Sequence, residues 1–378
     1  MNRFKLFLIL ALSLIYVASA FANEPIRIGA LFSVTGPASF LGEPERNTLE
    51  MLVKEANAKG GIKGHKIELI VYDTQGDATK AVQLATKLIR NDKVSVIIGP
   101  STTGETMAVI PVVEKEKIPL ISCAAGIKII EPVKRYVFKT PANDHVAAEK
   151  IFTFMLAKKQ KNVALMTVTD GFGSSGREQL KDMAKKMGIT VVADETYGPK
   201  DTDMTAQLTK IKGSKADGII CWGTNPGPAI VTRNVRQLGI KIPLYQSHGV
   251  ASKKYIELAG NENAEGVILP AGKLAVFDKL KKTDQQFKLL KDYNQDYKKN
   301  FNVEASTFGG YAYDSFLLIS EALKTGVSSE QIRDGLEGVK KLVSISGIYN
   351  MSPSDHNGLD ISAFEMIKIV KGDWEIAK

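Results

Sequence analysis

Val94-Ser95-Val96-Ile97-Ile98-Gly99, followed by Pro100-Ser101-Thr102-Thr103-Gly104 and then Ile118-Pro119-Leu120-Ile121-Ser122-Cys123, decides the fold. The first run is short, apolar and rich in β-branched residues, and it stops at a glycine. The last run has the same character. Between them, Gly104–Lys115 carries helical spacing. Two apolar strands around one helix describe a β-α-β unit in a parallel sheet covered on both faces.

The same alternation extends in both directions. Upstream, Ile26–Phe32 and Lys66–Asp73 are strands. Glu45–Ala58 is a helix with Leu49, Leu52, Val53 and Ala56 on one face, ending at Gly60-Gly61. Asp77 is placed to cap a helix presenting Val82, Leu84, Ala85, Leu88 and Ile89. Downstream the pattern restarts with a helix at Asp144–Lys158, a strand at Asn162–Thr169, a helix at Gly173–Met187 and a strand at Ile189–Tyr197. Thr205–Lys212, Asp217–Trp222, Pro228–Leu238 and Pro243–His248 continue it. Residues 24–140 and 144–270 therefore form two α/β blocks joined by Lys139-Thr140-Pro141-Ala142-Asn143. Residues 283–338 are helical again, and Ser344–Tyr349 and Ile361–Val370 are strand-like.

Residues 1–22 have the form of a secretory signal peptide: Arg3 and Lys5, an apolar run from Leu6 to Ser19, then Ala20-Phe21-Ala22 as a cleavage site. The run is shorter than the roughly 20 residues that span a bilayer. No Cys lies near the site to carry a lipid anchor. The expectation is export to the periplasm with cleavage near Ala22. What remains exceeds the roughly 250–300 residues of a single core, so two lobes are expected. The net charge of +9 is interleaved, as in Glu114-Lys115-Glu116-Lys117, which reads as solvated helix faces and argues against nucleic-acid binding. Cys123 and Cys221 end apolar strands in different blocks and are expected to be buried free thiols. The four histidines lack metal-ligand spacing, and no cofactor is expected.

Ligands of such sheets sit beyond the carboxyl ends of the strands. Five loops qualify. Ile98–Gly104 runs into a helix start with hydroxyls and free amides, an anion seat that suits a carboxylate and lacks the Lys of a phosphate loop. Gly171-Phe172-Gly173-Ser174-Ser175-Gly176 is literally G-x-G-x-x-G, with Asp194 and Glu195 about 20 residues on, the form of a dinucleotide fingerprint. No catalytic pair accompanies it, and glycine at a tight turn explains it equally well. Cys221–Pro226, Gln246–Gly249 and Thr307–Tyr313 set aromatics beside glycine, as packing or as pocket walls.

Taken in order, several phrases resemble the leucine/isoleucine/valine-binding-protein family over the whole chain after residue 22. They are Ile28–Pro37, Asn57–Gly64, Val71-Tyr72-Asp73, Ile97–Ser101, Lys139–Asp144 and Arg236–Gly239. That resemblance implies a type I periplasmic binding protein, with two flavodoxin-like lobes of parallel sheet joined by three hinge crossings. Lobe one would hold 24–142 and 272–345, and lobe two 143–271 and 346–378. It implies a monomer that clamps a small carboxylate and delivers it to a permease of an ATP-binding-cassette importer in the inner membrane. Carried over by position, the carboxylate seat falls on Ser101, Thr102 and Thr103. The polar-head stretch falls on Ala124, Ala125 and Gly126, and the walls on Leu41, Phe172, Thr224, His248 and Phe308. Amino-acid binders of the family place a hydroxyl near Gly126 and an acid near His248. Neither is present here. Either Asp170 meets the ammonium or the ligand has none, and His248, Trp222 and Tyr311 suit an aromatic acid. The reading is a binding protein and not an enzyme. The alternatives are a ligand-sensing module for a membrane receptor and a dinucleotide enzyme using Gly171–Gly176.

Overall fold

The computed structural model describes residues 23–378, so the proposed leader lies outside the described residues. The first sheet is built from β1 (Asn23–Phe32), α1 (Ser39–Ala58), β2 (His65–Asp73), α2 (Ala78–Arg90), β3 (Val96–Ile98), α3 (Thr103–Glu116), β4 (Leu120–Ser122) and β5 (Val137–Lys139). Its strands are all parallel, in the order β2-β1-β3-β4-β5. Ile28, Ile97, Ile98, Leu120 and Ile121 are fully buried, as a sheet covered by helices on both faces demands.

The second sheet follows α4 (Asp144–Ala157). It contains β6 (Asn162–Val168), α5 (Gly171–Met187), β7 (Thr190–Tyr197), α6 (Thr205–Lys212), β8 (Gly218–Trp222), α7 (Gly227–Gln237), β9 (Leu244–Gln246), the short helices α8 (Lys253–Ala259) and α9 (Asn261–Ala264), and β10 (Ile268–Gly272). Three helices come next: α10 (Phe287–Phe301), α11 (Thr307–Ala322) and α12 (Ser329–Glu337). α11 returns to pack on α1 of the first lobe. β11 (Leu342–Val343) and β12 (Ile348–Tyr349) form a small antiparallel hairpin. β13 (Phe364–Val370) and β14 (Asp373–Ile376) then extend the second sheet to the order β14-β13-β10-β9-β8-β6-β7. The strand-like reading of Ser344–Tyr349 is thus trimmed to Ile348–Tyr349, because Ser344, Ile345 and Ser346 bond to a buried carboxylate on α11 instead of to a strand.

In each sheet the strand order reverses once beside the lobe's first strand, between β1 and β3 and between β6 and β8. These are the topological switch points where open α/β sheets take ligands. The loops after β1, β3, β6 and β8 converge on the space between the lobes. Both cysteines are buried and free.

Candidate functional site

A cavity of about 430 Å³ lies between the two switch points. The first lobe supplies Leu41, Ser101–Glu105, Cys123, Ala124 and Ala125, with Phe308 and Tyr311 from the returning α11. The second supplies Asp170–Phe172, Tyr197, Thr224–Gly227 and His248. The first turns of α1, α2, α3, α5, α7 and α11 all reach its wall. Each brings unpaired amides and the positive end of a helix dipole, so the enclosed space favours negative charge.

The lobes meet around it. A Cβ built on Gly171, at the start of α5, would stand 3.2 Å from the Gly104 nitrogen at the start of α3. Lys128 pairs with Glu178 at 2.5 Å across the same rim. At the far side Thr307 Oγ1 donates to the Ala251 carbonyl at 2.9 Å. The described geometry is therefore a shut clamshell.

The seat is built at the start of α3. Thr102 is its N-cap in extended conformation, and its Oγ1 accepts from the Glu105 N–H at 3.3 Å. The same Oγ1 donates to Glu105 Oε2 at 2.6 Å, so the Thr102 proton is engaged inside the protein. Ser101, Thr102 and Thr103 all lie on the cavity wall, where α3 begins. Ser101 accepts from the Ser33 N–H at 3.0 Å and contacts Glu45. Thr103 Oγ1 accepts from the Gly126 N–H at 3.2 Å.

Of the residues named from sequence, Leu41, Ser101, Thr102, Thr103, Ala124, Ala125, Phe172, Thr224, His248 and Phe308 line this one cavity. Gly126 does not. It stands behind Thr103, where a Cβ would come 2.5 Å from Thr103 Cγ2, so the position is kept bare to let Thr103 pack. The G-x-G-x-x-G stretch is also corrected. Gly171, Gly173 and Gly176 lie inside the first turns of α5 rather than in a loop ahead of it. A Cβ on Gly173 would sit 1.8 Å from the Val168 carbonyl oxygen, and one on Gly176 would sit 2.0 Å from Trp222 Nε1. Close packing requires these glycines. Asp194 is held by Arg177 at 2.7 Å and Lys181 at 3.1 Å, which removes it as a ribose acceptor.

The second-lobe wall is aromatic. His248 is surrounded by the rings of Phe172, Trp222 and Phe364 at centroid distances of 5.2–5.6 Å. Burial, with a smaller push from Lys139, drives its imidazole down to about 3, so it is neutral. Neither of its nitrogens has a partner among the described residues. Both side-chain polar atoms of Asn225 are likewise without a partner among the described residues at this wall, and Tyr197 lies beside the Cys221 thiol. Position at the carboxyl end of β7 and after β8 was the available signal for Tyr197 and Asn225. Asp170 reaches the cavity while capping α5, its Oδ1 accepting from the Gly173 N–H at 2.8 Å. Burial raises its carboxyl, and the Gly173 and Phe172 amides offset part of the rise. Among the described residues no cluster of His, Cys, Asp and Glu could hold a metal ion, and no helix is long and apolar enough to cross a membrane.

Comparison with known proteins gives a consistent answer. The family model for periplasmic binding proteins matches residues 25–370. Leu/Ile/Val-binding protein homolog 3 of Brucella melitensis is 25% identical over 360 residues, covering 93% of each chain. An extracellular ligand-binding receptor from Rhodopseudomonas palustris HaA2 is 29% identical and superposes with a TM-score of 0.87, over 93% of this chain and 99% of that one. The branched-chain amino acid transporter substrate-binding protein of Streptococcus pneumoniae, solved with isoleucine, is 28% identical with a TM-score of 0.83, over 94% and 99%. These relatives are substrate-binding proteins, not enzymes, and the fold is that of type I periplasmic binding proteins. The chain belongs to the periplasmic binding protein family and is similar within it to the leucine/isoleucine/valine-binding proteins.

Proposed function

We propose that this protein captures a small apolar carboxylate between its lobes in the periplasm and hands it to the permease of an ATP-binding-cassette importer. The observation that carries the reading is the cavity itself: a hydroxyl- and amide-lined helix start on one lobe faces an aromatic wall on the other. The ligand's negative end rests on Ser101–Gly104, and its apolar body lies between Leu41, Phe308, Phe172 and His248. Closure follows from differential affinity, because a ligand held by both lobes favours the shut state.

An aromatic acid without an ammonium group suits the neutral His248 among its three ring neighbours. A branched-chain amino acid is the second reading, supported by the Asp170 carboxylate at the cavity wall and by what the named relatives bind. The two are separated by denaturing freshly purified protein, identifying the released compound by mass spectrometry, and titrating benzoate, leucine, isoleucine and valine by calorimetry. Stabilisation by benzoate supports the first reading, and stabilisation by the amino acids alone supports the second. Binding of none of them removes the carboxylate assignment.

A further inference from the structure

Behind the seat lies an acid, Glu45, that the binding site as described does not use, close to Glu105 at the cavity wall. Glu45, from α1, is fully buried and outside the cavity lining. Its Oε2 contacts Ser101 Oγ, and its Oε1 has no partner among the described residues. Glu105, from α3, is 1% exposed. Its Oε2 accepts from Thr102 Oγ1 at 2.6 Å and from Ser33 Oγ at 2.9 Å, at the positive end of that helix. Ser33 links the two, because its N–H donates to Ser101 Oγ while its hydroxyl donates to Glu105.

No cation is among the charges acting on Glu45. Glu105 repels it from α3, and Cys123 after β4 and Tyr311 on α11 are the other titratable groups that feel it. Burial keeps both of those neutral. Like charges sharing one buried network disfavour each other's ionised form. Glu105 Oε2 accepts from two hydroxyls at a helix start, whereas Glu45 meets the Ser101 hydroxyl alone. Burial first, and Glu105 second, raise the Glu45 carboxyl well above the usual range, against the lowering by Ser101.

The state of Glu45 decides what Ser101 can offer. Facing a carboxylate, Ser101 spends its only proton on Glu45 and, with one lone pair taken by the Ser33 N–H, has one lone pair left for the cavity. Facing a carboxylic acid, Ser101 accepts from both Glu45 and the Ser33 N–H. Both lone pairs are then filled, and its own proton is free for the cavity. We propose that Glu45 is a positioning residue of the carboxylate seat: kept as the neutral acid, it donates to Ser101 and turns the Ser101 hydroxyl into a donor toward the bound anion. Loss of that proton reverses the hydrogen bond and sets a second negative charge behind the ligand. Capture of the acid is therefore linked to a proton held by the protein. This rests on the proposed carboxylate reading of the cavity.

The test combines an infrared and a binding measurement on Glu45→Gln and Glu45→Met. Gln keeps a donor toward Ser101 at every pH, whereas Met keeps the volume and loses the donor. The infrared difference between wild type and E45Q at pH 7 is expected to show the carbonyl stretch of a protonated carboxyl, whatever the ligand is. Benzoate and leucine serve as binding probes in calorimetry. E45Q is expected to bind within about threefold of wild type and without pH dependence, and E45M to bind at least about tenfold more weakly. Wild-type affinity should fall by up to about tenfold per pH unit above the pH at which the infrared band disappears. Absence of the band at pH 7, or E45Q binding no better than E45M, overturns the proposal. A clear band with neither probe bound at any pH instead refutes the carboxylate reading and leaves Glu45 without this role.

Discussion

Asn225 gives the sharpest test of the second-lobe wall. It lies in the loop between β8 and α7, is 6% exposed, and both its amide oxygen and its amide nitrogen lack a partner among the described residues. A structural asparagine in such a place would be hydrogen-bonded, since leaving a buried polar group unsatisfied costs about 1–3 kcal/mol. A ligand-binding asparagine has a reason to be unpaired. Asn225→Leu keeps the volume and removes both polar atoms. Unfolding free energy measured in urea should then stay level or rise. Affinity should fall by the worth of one hydrogen bond, about 0.5–1.5 kcal/mol for a neutral partner and about 1.5–3 kcal/mol for a charged one. That range corresponds to about a twofold to a hundredfold increase in Kd. The two effects have opposite signs, which a packing residue does not give. A variant that loses stability while binding its acid as tightly as wild type refutes the assignment.

Three further outcomes follow from the same geometry. Gly171→Val places a branched side chain where a bare Cβ already stands 3.2 Å from the Gly104 nitrogen, so it should hold the lobes apart and abolish the ligand-induced compaction seen by small-angle scattering. An unchanged compaction would show that the rim gives way. Asp170→Asn keeps a good helix cap, so stability should change by less than about 1 kcal/mol. In calorimetry it should weaken an amino-acid ligand at least about tenfold and leave an acid without an ammonium untouched, because an ammonium in the closed cavity needs its counter-charge.

Asp314 accepts from Ser344 Oγ, from the Ile345 N–H at 2.8 Å, from the Ser346 N–H at 3.0 Å and from Tyr349 Oη at 3.0 Å. Burial raises its carboxyl from 3.8 to about 6. Between those values the folded protein holds the proton that the unfolded chain has lost, so this group's contribution to stability is full near pH 4 and falls as pH rises through 6. Measured by urea unfolding, wild type should lose about 3 kcal/mol relative to Asp314→Asn over that window. A difference that grows with pH contradicts it.

The order of strands and helices was legible because chemistry and geometry coincide locally. Val96–Ile98 and Leu120-Ile121 are apolar because helices cover both sides of the sheet. Asp77 announces α2 because its own carboxylate accepts from the Lys80 N–H. The start of α1 was missed by six residues. The earlier start places Gly42 and Pro44 inside the helix: Gly42 is needed because a Cβ would come 2.4 Å from the Ser33 backbone, and Pro44 gives up one intrahelical N–H bond. The glycines at 171, 173 and 176 left a dinucleotide site open only as an alternative, because a spacing suited to phosphate also suits a helix pressed against a strand carbonyl and an indole.

Ten of the eleven candidate site positions line the cavity, since loops after parallel strands must gather at one edge of the sheet. Glu45 and Glu105 escaped the sequence reading. Residues 33, 45, 101 and 105 become neighbours only once β3 lies beside β1, and no local pattern records that adjacency.

The most direct measurement is a crystal structure of the protein with the acid it releases on denaturation. The account predicts shut lobes with the carboxylate oxygens about 2.7–3.1 Å from the Ser101 hydroxyl and the amides that open α3. An acid bound elsewhere, or shut lobes with the carboxylate turned toward His248, contradicts it.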